Sequence, residues 1–141
     1  VWCFQSLAEK IGPERYRKHL TTAGFGSLDD SFNVTEFWLD GSLKISAAGQ
    51  VDFMKRLIRR SLSYSATSYE ELKDVMLREA TGSHQLRAKT GWTGSIGWFV
   101  GYVETSNDTW VFALNADVMD INLMLILPDI TKEILKAKGI I

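Results

Sequence analysis

Gln85-Leu86-Arg87-Ala88-Lys89-Thr90-Gly91-Trp92 is the stretch whose reading decides the fold. Two more stretches follow it, Ile96–Thr105 and Thr109–Asp117, and all three are rich in aromatic and β-branched residues. Only Thr93-Gly94-Ser95 and Ser106-Asn107-Asp108 separate them, both of turn composition. Strands joined by connections this short run antiparallel. The segment from about 83 to 117 is therefore predicted as a three-strand meander.

Upstream the apolar period lengthens to that of helices. Phe4, Leu7, Ala8 and Ile11 mark a first helix, ended by Gly12. Pro13 suits the first turn of a second, running from Glu14 to about Thr22. Residues 23–35 read as loop, and Glu36–Ile45 is apolar in clumps without a clear period. Ser46 fits an N-cap for a helix from Ala47 to about Arg60, with Val51, Phe53, Met54, Leu57 and Ile58 on one face. After a polar linker, Ser61–Thr67, Ser68 with Glu71 has the form of a capping box. That helix is predicted to reach about Ala80 and to bury Leu72, Val75, Met76 and Leu77. Pro128-Asp129 announces a last helix from Ile130 to Lys138, stopped by Gly139. The fold class is α+β, an antiparallel sheet flanked by helices. Residues 1–141 belong to one domain, helical over about 1–82, sheet over about 83–117, with a C-terminal helix over about 129–138.

Composition narrows function. Apolar residues make up 45% and charged residues 23%, which suits a packed core and argues against disorder. The net charge of −1, with scattered basic residues, gives no reason to expect a nucleic acid or a membrane surface as partner. Arg59-Arg60 reads as a solvated helix face. The apolar run Ile121–Leu127 is too short to cross a membrane. The single cysteine, Cys3, cannot form an internal disulfide, and its ordinary place is in an apolar interior. No Cys/His set has zinc spacing, and His19 and His84 lack partners in sequence. Gly24-Phe25-Gly26 does not continue into a phosphate loop, and Ser83-His84 stands in no catalytic context. The opening Val1-Trp2-Cys3-Phe4, aromatic and without a methionine, reads as a segment of a longer protein.

One tripeptide carries chemistry. Lys89-Thr90-Gly91 stands on a predicted strand entering a hairpin, and it occurs in serine β-lactamases and penicillin-binding proteins. Its plain alternative is a strand end with a surface lysine. The functional case is physical. A strand edge can lie beside an extended acyl substrate. A lysine and a hydroxyl there can bind a carboxylate, and a glycine allows close approach to the backbone.

The surroundings strengthen that case. Ala88–Trp92, Gly97–Glu104 and Phe112–Asp117 resemble the sheet of class D (OXA-type) serine β-lactamases. So do Phe37-Trp38-Leu39-Asp40-Gly41-Ser42-Leu43-Lys44-Ile45-Ser46-Ala47 and the closing Lys138-Gly139-Ile140-Ile141. Val1 resembles the last residue of the family's Ser-x-Val motif. The resemblance spans nearly the whole chain, in order.

The resemblance implies a fold of the β-lactamase/transpeptidase type, with further strands from a missing N-terminal part. It implies β-lactam binding and hydrolysis through a serine acyl-enzyme. The family's nucleophile lies in Ser-x-x-Lys, whose lysine carries CO2 as a carbamate and serves as general base. No serine in this sequence is followed by lysine three positions on, so this chain is expected to be inactive alone, and CO2 is implied only for a longer parent. Lys89 would supply positive charge beside the Ser-x-Val serine and help move a proton. Thr90 would bind the substrate carboxylate, and Gly91 would let it approach. The backbone N–H of Trp92 would be one donor of the oxyanion hole. Trp38 matches the tryptophan that steadies the carbamylated lysine; otherwise it is a core aromatic. An extracytoplasmic, often periplasmic, location is implied as well.

Two departures stand out. The family's Tyr-Gly-Asn is here Phe25-Gly26-Ser27, so the phenol is lost. Leu127 occupies the place of an arginine that grips the substrate carboxylate, and leucine cannot make a bidentate contact. The hairpin Thr93-Gly94-Ser95 is short for the family. Two alternatives to a hydrolase remain: a β-lactam-binding sensor domain of a membrane signal transducer, and a catalytically dead penicillin-binding homologue. A bare sheet edge is also expected to invite self-association.

Overall fold

Alternation along the meander sends side chains to two faces, and both faces are covered by helices. The computed structural model describes residues 2–141. Its elements are α1 (Trp2–Ile11), α2 (Pro13–Ala23), β1 (Ser27–Leu28), β2 (Leu43–Lys44), α3 (Ala47–Ile58), α4 (Ala66–Val75), β3 (Leu77–Ala80), β4 (His84–Trp92), β5 (Ile96–Thr105), β6 (Thr109–Asp117), α5 (Ile121–Leu125) and α6 (Leu127–Ala137). The main sheet has the order β3-β4-β5-β6, every neighbouring pair antiparallel. A separate two-residue ribbon joins β1 to β2.

The three predicted strands stand within one residue of their expected bounds, and a fourth, β3, is added. Leu77–Ala80 was expected as the end of a helix. It pairs instead with β4, through a register shift between Leu77 and Glu79. The helix before it is also displaced. Ser65, not Ser68, is the N-cap, and its hydroxyl accepts from the Ser68 N–H at 3.1 Å. The buried residues are consequently Tyr69 and Met76, whereas Val75 is 76% exposed and Leu72 and Leu77 are partly exposed, at 38% and 43%. At the C-terminus the last helix begins at Leu127, three residues before the expected Ile130, and a short α5 precedes it.

Each sheet face has its own core. Val100 and Tyr102 of β5 pack with Met54 and Leu57 of α3, Tyr69 of α4, and Ala23. On the opposite face Ala88 and Phe99 meet Leu127 and Val118, while Leu86 and Val103 meet Leu135. The strands approach too closely at Gly101 for any side chain, since a β-carbon there would lie 2.1 Å from the Arg87 carbonyl oxygen. Ser46 caps α3 as the sequence implies, accepting from the Gly49 N–H at 3.0 Å.

α1 buries only Ala8. Cys3 is therefore exposed, against its expected place in the interior, because that part of the helix has nothing packed over it. Trp2 and Phe4 are 77% and 69% exposed. No helix is long and apolar enough to cross a membrane among the described residues.

Candidate functional site

The outer edge of β4 is covered for only half its length. β3 reaches Arg87, and the Ala88 N–H donates to the Met76 carbonyl at 2.9 Å. Beyond Ala88 no strand pairs with that edge among the described residues. The parity of the ladder shows which groups face outward. The Thr93 N–H donates inward to the Ile96 carbonyl at 3.1 Å, at the hairpin. In an antiparallel ladder the hydrogen-bonded positions alternate. Gly91 and Lys89 therefore bond inward to β5, and the N–H and C=O groups of Thr90 and Trp92 point outward. The outward bond of Ala88 has the same parity.

Lys89 lies at this edge with its side chain exposed, and its ammonium donates to the Thr90 carbonyl at 2.6 Å. Lys89 faces Val100 across the ladder and Thr90 faces Phe99, so the two side chains leave opposite faces of the sheet. They share the edge, not a face. Trp92 is half-buried, and its indole donates to the Val118 carbonyl at 2.9 Å. That bond holds the side chain over the α6 face and leaves the backbone N–H on the edge. Gly91 has no internal reason to be glycine. A β-carbon there would meet only Trp98 Cβ, at an ordinary 3.6 Å.

The other expected site residues stand on other elements, Leu127 among them packing with Ala88 and Phe99. Leu127 is 3% exposed and packs against Gly97, where a β-carbon would come within 2.8 Å of its Cδ1. It is a core residue on the α6 face. Phe25 stacks edge-on against Phe53 at 4.7 Å. Gly26 has φ +66, and a β-carbon there would lie 2.3 Å from the Lys44 carbonyl oxygen, so glycine is required by the β1–β2 approach. Trp38 lies in the turn segment between β1 and β2. It packs on Phe37 at 4.9 Å, and Phe37 in turn touches Tyr16 and Phe32. The Trp38 indole N–H has no hydrogen-bond partner among the described residues. The Asp40 carboxylate fixes this turn by accepting from the Ser42 N–H at 2.8 Å, which holds its pKa below the usual carboxylate value. Val1 lies outside the described residues.

Two polar clusters escaped the sequence reading. Arg87, 6% exposed, donates to the Lys73 carbonyl at 3.1 Å and to Glu104 at 2.6 Å, tying β4 and β5 to α4. Its signal was faint: a single arginine in a strand, with its carboxylate seventeen residues on. The second cluster surrounds His84. Nδ1 is 3.1 Å from Thr81 Oγ1 and 3.2 Å from Ser83 Oγ, and Nε2 is 3.1 Å from Glu79. Glu79 also pairs with Lys132 of α6, whose ammonium holds the carboxyl pKa down. These contacts clamp the β3–β4 turn to the last helix.

Comparison with known proteins gives the family and the fold. A family model described as the penicillin binding protein transpeptidase domain matches residues 1–123. The chain is 40% identical over 142 residues to β-lactamase OXA-48 of Klebsiella pneumoniae, covering 98% of this chain and 54% of that protein. It is 31% identical over 145 residues to β-lactamase OXA-10 of Pseudomonas aeruginosa, again covering 98% and 54%. Among solved structures, the class D β-lactamase YbXI from Nostoc superposes with a TM-score of 0.91 at 38% identity, covering 99% of this chain and 61% of that one. The chain spans about half the length of these curated relatives.

Proposed function

The chain belongs to the penicillin-binding transpeptidase domain family, on the class D β-lactamase branch, and from that premise we propose that it forms the strand-edge half of a β-lactam site. The observation that carries this reading is the open outer edge of β4 at Thr90 and Trp92 beside the Lys89 ammonium.

The chemistry follows from those groups. An acyl substrate laid along the edge would exchange main-chain hydrogen bonds with Thr90, as an added strand does. The Trp92 N–H would donate to the oxyanion that forms when the β-lactam carbonyl is attacked. A donor fixed in place before reaction is worth about 10²–10³ in rate. The Lys89 ammonium would leave the Thr90 carbonyl for the substrate carboxylate. The bare Cα of Gly91 would let the ligand lie close. The attacking serine and its general base are not among these residues, because the sequence contains no Ser-x-x-Lys. The lysine that would carry CO2 is absent with them, so no step through a carbamate is derived for this chain.

Leu127 favours a second reading. Where the family resemblance places a carboxylate-gripping arginine, this chain has a buried leucine. A domain that acylates and releases slowly, as a sensor does, would need that grip less than a fast hydrolase. In either reading the parent would work outside the cytoplasm, where β-lactams are met.

The test is a chimaera in which OXA-48 supplies the residues preceding its match to this chain. Nitrocefin turnover is expected, falling at least tenfold in Lys89→Ala. A chimaera that folds, becomes acylated and turns over equally with Lys89→Ala would overturn the assignment.

A further inference from the structure

Tyr102, in the middle of β5, is 6% exposed, yet its hydroxyl has no hydrogen-bond partner among the described residues. A buried hydroxyl without a partner is costly. None of the fully buried polar atoms among the described residues lacks a partner, so this oxygen still reaches solvent. It does so through the cleft that Tyr102 lines, between α3, α4 and β5.

The cleft has a volume of about 140 Å³. That is room for one small ring, in a cleft that is open to solvent. Part of its wall is apolar: Leu57 and Ile58 from α3, Leu72 from α4, and Met76. Its rim is charged, with Arg60, Lys73 and Glu104. Glu104 is shared, accepting from Arg87 at 2.6 Å and from Lys73 at 3.3 Å. Arg60 pairs with Glu70 and stands over the Tyr69 ring. Lys73 at the rim and the buried Arg87 behind it share the single carboxylate of Glu104, so this cluster carries one positive charge in excess. The Tyr69 hydroxyl is already engaged with the Leu62 backbone, so Tyr102 is the free donor.

We propose that this cleft binds a small aromatic carboxylate, its ring against the apolar wall and its carboxylate between the Tyr102 hydroxyl and the Lys73 ammonium. Burial raises the Tyr102 pKa, and Glu104 raises it further, so the phenol stays a donor at neutral pH. Tyr102 pairs in register with Arg87, on the same face as Lys89 and two residues from it along β4, so the cleft and the β4 edge are neighbours roughly 7 Å apart along the strand, and Lys89→Ala tells them apart.

Titration of the 141-residue chain with sodium benzoate, followed by NMR, tests this. Saturable binding in the range of about 1 mM is expected, set by one ring and one charged contact. Tyr102→Phe and Lys73→Met should each weaken it about tenfold, the effect of one hydrogen bond to a charged group. Benzyl alcohol should bind more weakly than benzoate. Tyr102→Phe removes a hydroxyl that has no partner, so its urea midpoint should match the wild type and a folding defect cannot mimic the result. Any of four results overturns the proposal: no saturable binding, equal affinity in Tyr102→Phe, equal affinity for benzyl alcohol, or binding lost only in Lys89→Ala.

Discussion

Lys89 turns its ammonium onto the carbonyl of the residue that follows it, donating to Thr90 at 2.6 Å. The contact joins side chain and backbone at a stretch of β4 whose outer edge no strand covers among the described residues. The Thr90 carbonyl there is met by a side-chain ammonium and not by a neighbouring strand.

The chain by itself should hydrolyse no β-lactam, since it contains no Ser-x-x-Lys. Nitrocefin turnover by the purified chain should be indistinguishable from that of Lys89→Ala. A rate clearly above that control would show a nucleophile that the sequence does not reveal.

Two glycines should respond in opposite ways to alanine. A β-carbon at Gly101 would lie 2.1 Å from the Arg87 carbonyl oxygen, and a forced shift of packed strands costs about 1–3 kcal/mol. Gly91 meets only an ordinary 3.6 Å contact, so alanine there should leave stability within about 1 kcal/mol of wild type. Urea unfolding of both variants checks the contrast.

That contrast bears on what the sequence could convey. β4, β5 and β6 were legible because their signals are local: β-branched and aromatic runs separated by Gly94-Ser95 and Ser106-Asn107-Asp108. β3 was not. Leu77-Arg78-Glu79-Ala80 has no strand composition, and Leu72, Val75, Met76 and Leu77 fall at helical spacing. Its strand form comes from the partner that β4 offers, a tertiary effect that overrides local preference. Ser65 and Ser68 are equally good caps by type, and the choice depends on how α4 docks Tyr69. The site divides in the same way. Lys89, Thr90, Gly91 and Trp92 form one short stretch, and the structure gathers them on one edge. Leu127 is a core residue, Phe25 packs half-buried against the core, and Gly26 serves a close backbone approach; none of this is visible without the contacts.

Acid should expose the Glu79 clamp. Lys132 first, and His84 after it, hold the Glu79 pKa below its usual 4.5. A carboxyl with a lowered folded pKa contributes stability above its unfolded pKa and loses it as pH falls through the folded value. The urea midpoint of the wild type should therefore decline below about pH 4.5 more steeply than that of Glu79→Gln. Parallel declines would mean that the clamp adds nothing.

Exposed apolar side chains should make the isolated chain self-associate. Trp2, Phe4, Val75, Met119 and Leu125 are all more than 60% exposed. Apolar side chains this open lose water contact when two copies meet. Sedimentation should show a weight-average mass that rises with concentration. A monomer with a sharp, cooperative melt would contradict this.

Amide hydrogen exchange on β4, read residue by residue, tests the open edge most directly. The N–H groups of Lys89 and Gly91 should be protected by β5, while those of Thr90 and Trp92 exchange faster by at least tenfold, about 1.4 kcal/mol of protection. Equal protection at all four positions would mean that the edge is closed, and that no substrate strand could lie against it.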